Sequence, residues 1–161
     1  MSIERMIESD GVLVASWRNV VLNVGKGSPS ADHIDTVRRL VDDLLSKYPD
    51  GIGMMLMVYN ASLFPHADGR NRTNELFREV GPRLQGVAAV VEGTGFWASA
   101  VRSVITGFTL VSRTKFPLKT FGSVDDASAW LVPLLVPAVT RAEFSGVIRE
   151  LNMARRELGA F

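Results

Sequence analysis

Apolar and polar positions divide this chain into alternating short apolar runs and longer segments of helical spacing. Two runs, Ile52 to Tyr59 (IGMMLMVY) and Val87 to Val91, are continuously apolar and bounded by turn residues, so each predicts a strand buried on both faces. Val12, Val14 and Ser16-Trp17 begin an earlier strand, and Val20 to Val24 (V-V-L-N-V) forms the next. The short polar break Arg18-Asn19 between them predicts an antiparallel hairpin, although Arg-Asn is not the favoured turn dipeptide. Met1 to Asp10 mixes Ile3, Met6 and Ile7 with charges and reads as a lead-in turn or an edge segment.

Helical spacing is clearest over Ala31 to Tyr48. There Ile34, Val37, Val41, Leu44 and Tyr48 share one face, widened by Leu40 and Leu45, with charged residues opposite. Ser30 is the expected N-cap, with His33 at the third helical position. A second helix starts at Asn71 or Thr73, turns Leu76, Phe77 and Val80 inward, and ends or kinks at Gly81-Pro82. Gly93-Thr94-Gly95 breaks the chain before a helix from Phe96 to about Leu110 whose only charge is Arg102. After Pro117, Leu118 to Phe121 predicts a short strand, and Ser123 caps a helix from Val124 to about Leu135. Pro133 and Pro137 bracket a break. Thr140-x-x-Glu143 is a capping box for a last helix to about Leu158. In that helix Phe144, Val147, Leu151, Ala154, Leu158 and Phe161 follow an a/d spacing, which suits packing on the domain or pairing with a partner or second copy.

The predicted order is β-β-α-β-α-β-α-β-α with an added C-terminal amphipathic helix. It implies an α/β fold with a mixed, mostly parallel sheet and an antiparallel edge. Residues 1–137 form the domain, and residues 138–161 the helix packed on it or on a partner.

Composition narrows the function classes. The chain has 161 residues, 47% hydrophobic and 22% charged, which suits one globular domain. A formal net charge of +1 gives no footprint for nucleic acid or an anionic membrane. The absence of cysteine removes disulfides, zinc-thiolate sites and thiol nucleophiles, and it fits a reducing compartment. MSIERMIESDG is not a signal peptide, and Arg102 interrupts the longest low-charge stretch, so a soluble cytoplasmic protein is expected.

Candidate chemistry is sparse. Gly25-Lys26-Gly27-Ser28 lies between a strand and a helix, but its lysine precedes the second glycine and no earlier glycine fits a phosphate loop. Gly93-Thr94-Gly95 has Ala98 in the third position of a dinucleotide fingerprint. No acidic partner follows about 20 residues on, where the chain reads Thr114-Lys115-Phe116. His33 and His66 have no partner at metal-binding spacing and read as surface residues, and Ser62, Ser99 and Ser103 lie in no nucleophile elbow. The three methionines of the Ile52 run read as core filler. No catalytic residue, metal site or cofactor is expected. Phe96, Trp97 and Phe108 lie on a helix apolar nearly all round, which is either core or a surface offered to something.

Trp17-Arg18-Asn19-Val20-Val21 resembles the entry hairpin of STAS-like domains, the anti-sigma-factor antagonists and their stand-alone STAS/Sec14-type bacterial relatives. Phe121-Gly122-Ser123-Val124-Asp125-Asp126-Ala127-Ser128-Ala129-Trp130-Leu131 resembles that family's closing strand and helix, with its F-x-S-x-x-x-A-x-x-W-L pattern. The likeness covers roughly Gly11 to Leu135. It implies a bacterial, non-enzymatic regulatory or scaffolding module that contacts a protein partner, or, in the Sec14-type branch, binds an apolar ligand. Phospho-switched members carry D-[ST]-S-G after a central strand. Tyr59-Asn60-Ala61-Ser62-Leu63-Phe64 lacks it, leaving Ser62 as the nearest hydroxyl for a phosphoacceptor.

The leading expectation is therefore a module acting by protein–protein contact and self-association, a homo-oligomer. Its interaction surface would be Phe96, Trp97 and Phe108 together with Phe144, Val147, Leu151 and Leu158. A carrier or sensor of an apolar, lipid-like ligand near Phe96, Trp97 and Phe108 is the alternative. An enzyme using His66 or Ser62 is a third reading.

Overall fold

The computed structural model describes residues 3–9, 12–26, 30–59, 67–92, 98–103 and 116–157. Six strands form one sheet in sequential order: β1 (Glu4–Ser9), β2 (Val12–Trp17), β3 (Val20–Lys26), β4 (Ile52–Tyr59), β5 (Leu84–Val91) and β6 (Leu118–Phe121). β1, β2 and β3 pair antiparallel, and β3 to β6 pair parallel. The helices are α1 (Ala31–Lys47), α2 (Ala67–Val80), α3 (described over 98–103), α4 (Val124–Leu131) and α5 (Arg141–Glu157). A mostly parallel sheet with helices on both faces is the arrangement that the STAS resemblance implies.

The period-two alternation of each strand sorts the core into two clusters. Val14, Val21, Ile52, Met54 and Val87 face α1 and α2. Leu13, Ala15, Trp17, Leu22, Met55, Ala88 and Val90 face α4 and α5. Residues buried on both sides explain why β4 and β5 read as unbroken apolar runs rather than alternating ones.

The hairpin forms at the expected break. Trp17 pairs with Val20, and Arg18 turns the chain at φ 48°. Ser30 caps α1, its hydroxyl accepting from the His33 backbone N–H at 3.1 Å. The capping box of α5 closes both ways, Glu143 N–H to Thr140 Oγ1 at 3.1 Å and Thr140 N–H to Glu143 Oε2 at 2.8 Å.

Several element boundaries differ from the sequence reading, among them the end of β3, which runs on from Val24 to Lys26. Glu4–Ser9 is a full edge strand, held by pairing to β2 despite its charges, so the sheet has six strands rather than five. The second helix begins at Ala67, before either expected start. β5 begins at Leu84, where the 3₁₀ turn Gly81–Arg83 hands the chain directly to the sheet. α4 stops at Leu131 because Pro133 enters a 3₁₀ turn, Val132–Leu134.

Helix α5 lies on the sheet. Phe144 meets Trp17 edge-on with ring centroids 6.0 Å apart. Arg18 pairs with Glu143 at 2.9 Å, and the Ile3 N–H donates to Glu150 at 3.2 Å. Near the far end of the helix Arg155, 2% exposed, pairs with Glu92 at 2.6 Å. Under α4 the sheet presents the paired glycines Gly53 and Gly86. A Cβ on Gly86 would come within 2.9 Å of Leu134 and 3.2 Å of Leu131, so the absence of side chains here sets how closely α4 and its 3₁₀ extension approach.

Candidate functional site

A cavity of about 240 Å³ lies between the sheet and the pair α1–α2. It sits toward the carboxyl ends of β3 and β4, the side of an α/β sheet where ligands commonly bind. Sequence accounts for the geometry. The loop after β3 returns the chain as α1, so the first turns of α1 bring Ser30, His33, Ile34 and Val37 over Asn23 and Gly25. β4 contributes Met54 and Leu56 to the floor, and α2 closes the far side with Thr73, Leu76 and Phe77. Ion pairs from Arg72 to Asp35 (3.3 Å) and from Arg38 to Glu79 hold the two helices together.

The wall is apolar except for Thr73 on α2 and one corner where Asn23, Ser30 and His33 meet. There His33 Nε2 and Asn23 Oδ1 are 3.0 Å apart, a hydrogen-bonding distance. Desolvation by burial lowers the pKa of His33 below its ordinary value of 6.5, so the ring is neutral at physiological pH. The Thr73 hydroxyl donates to Gly69 O at 2.8 Å, leaving its oxygen lone pairs to accept. No Lys or Arg belongs to the described lining. Such a cavity is chemically suited to a small apolar molecule with one polar end.

The surface position expected for His33 is therefore corrected. The loop after β3 carries the α1 N-terminus over the sheet, and its third helical residue is half-buried against the strand. Asn23 escaped notice as a functional candidate. Its signal was a single polar residue inside the apolar strand V-V-L-N-V, and only the fold supplies its partner.

The expected interaction surface on α5 is also corrected. Phe144, Val147 and Leu151 are 0%, 2% and 0% exposed, in one cluster with Trp17, Leu22 and Leu131. The a/d seam of α5 faces the sheet because β2 and β3 leave an apolar face that α4 alone does not cover. Phe96, Trp97, Phe108, Leu158, Ser62 and His66 lie outside the described residues.

Two polar clusters elsewhere are structural. At the amino ends of β3 to β5, the buried Asn19 amide donates to Val136 O at 3.0 Å and to Gln85 Oε1 at 3.2 Å. Gln85 Oε1 also accepts from the Val136 N–H at 2.9 Å, so the pair fastens the α4–α5 connection to the sheet. At the carboxyl end of β5, Arg155 bonds Glu92 and Asn152, while Arg102 donates to Val91 O at 2.8 Å. Among the described residues no group of three or more histidines and carboxylates lies close enough to hold a metal ion. No described helix is long and apolar enough to cross a membrane.

No protein-family model and no curated protein matches the chain. Among solved structures it is similar to an uncharacterised protein from the DUF3478 family with a SpoIIAA-like fold, from Shewanella loihica PV-4. The TM-score is 0.48 at 16% identity, over 81% of this chain and 92% of that one.

Proposed function

We propose that this chain is a non-enzymatic STAS-like module that binds a small apolar molecule in the cavity between the sheet, α1 and α2, as a carrier or sensor. The cavity carries the reading: a largely apolar, partly open hollow toward the carboxyl ends of β3 and β4, with Asn23 and His33 within hydrogen-bonding distance at one corner and Thr73 on the α2 side. The non-enzymatic part draws support from the partner of His33, which is an amide rather than a carboxylate able to stabilise an imidazolium. The protein-contact reading loses the α5 part of its expected surface, because Phe144, Val147 and Leu151 are packed into the protein's own core. It keeps Phe96, Trp97, Phe108 and Leu158, which lie outside the described residues.

The test is a benzene titration followed by the methyl NMR signals of the methionines. An apolar cavity of about 150 Å³ is enough for benzene. Saturable shifts are expected at Met54, which lines the cavity, while Met55 packs toward α4 and α5 and stays in place. A Met54 signal that never moves, or one that moves no more than Met55, would overturn the proposal.

A further inference from the structure

Resting on that reading of the cavity, we infer that the Asn23–His33 corner selects neutral ligands with a hydrogen-bond donor and acceptor at one end, amides or alcohols, and rejects carboxylates. The argument begins with what the pair leaves over. With Asn23 Oδ1 facing His33 Nε2 at 3.0 Å, the ring donates, and the Asn23 NH₂ and His33 Nδ1 retain a donor and an acceptor. If the amide is turned the other way, its carbonyl and the Nδ1–H remain instead. Either arrangement leaves one donor and one acceptor on adjoining residues. That is the complement of a primary amide, and of a hydroxyl, which supplies both functions from one oxygen.

Charge sets the exclusion. His33 is neutral, and the described lining contains neither lysine nor arginine. A carboxylate entering this corner would meet no lysine or arginine among the described lining to offset the hydration it gives up, only the partial charge of the α1 N-terminus, whereas an amide of the same shape gives up far less. The apolar remainder of the wall, Ile34, Val37, Met54, Leu56, Leu76 and Phe77, suits an aliphatic or aromatic body.

Toluene, benzyl alcohol, benzamide and benzoate share a ring and differ at the head, so they separate the two claims. With the whole chain at neutral pH and Met54 as reporter, benzamide is expected to bind at least about tenfold more tightly than benzoate, its isostere. Asn23→Val should weaken benzamide and benzyl alcohol by about tenfold while leaving toluene within about twofold. His33→Leu is the second variant, with the same expected pattern, should Asn23→Val fold poorly. Benzoate binding as tightly as benzamide in the unsubstituted chain, or equal losses for toluene and benzamide in the variants, would overturn the selection. Toluene binding with no benzamide binding would do so too, with the cavity reading left standing. Failure of all four probes to bind would sink both.

Discussion

At the scale of single residues, burial changes what a side chain is. His33 stands at the third position of α1, where a histidine would ordinarily be a solvated surface group. Here the strand beneath it supplies Asn23, and desolvation lowers its pKa. The consequence for stability has a definite sign. Above 6.5, the unfolded value, both states hold a neutral ring and His33 adds no pH dependence. As pH falls through 6.5 the unfolded chain takes up a proton that the folded chain resists, so stability declines until the lower folded value is reached. Urea midpoints measured on either side of 6.5 should therefore fall on acidification, and His33→Leu should flatten that part of the profile. An unchanged slope in the variant would mean that other groups carry it. Glu143 contributes in a lower range. Hydrogen bonds from Thr140 and the nearby Arg18 lower its pKa, so its contribution is present above 4.5 and lost below.

Among the elements, α5 is the one whose role changes most between the sequence and the fold. Its a/d spacing equally describes a helix that pairs with another chain and one that covers a sheet. The contacts that decide between them are long-range: Trp17 to Phe144, Arg18 to Glu143, and Glu92 to Arg155. Phe144→Ala should then cost about 3–5 kcal/mol in denaturant unfolding, the loss of a fully buried aromatic with a cavity left behind. Mass in solution, measured by light scattering, should be the same in the variant as in the unsubstituted chain. Loss of a dimer with little loss of stability would show instead that the seam works between chains. The capping boundaries of this element needed no tertiary information, since Thr140 and Glu143 satisfy one another's backbone N–H groups within one turn.

For the whole molecule, the sheet divides the protein into two faces with different work. One face is filled by α4 and α5 down to the close approach over Gly53 and Gly86. The other is covered by α1 and α2, which leave the cavity. The strands β3, β4 and β5 are paired on both edges and covered on both faces, whereas β1 and β6 are the sheet's edges. Native-state hydrogen exchange should accordingly be slowest in β3 to β5 and faster in β1 and β6. Comparable protection across all six strands would contradict that order.

Much of this was legible in the chain itself. Ile52 to Tyr59 and Leu118 to Phe121 are strands with the bounds that their apolar patterns predict. Ser30, Ser123 and the Thr140–Glu143 box cap their helices because capping is chemistry within four residues. Period two and period 3.6 were enough for an α/β fold with a mixed sheet, since each apolar face must be buried somewhere. What the sequence by itself could not determine is what meets across the fold. An amphipathic pattern specifies that a face is buried and not what covers it, so the fate of α5 waited on the sheet. The Asn23–His33 corner is likewise a product of tertiary structure. Ten positions apart, on a strand and on the helix that follows it, the two come within hydrogen-bonding distance only when the intervening loop folds α1 back over β3.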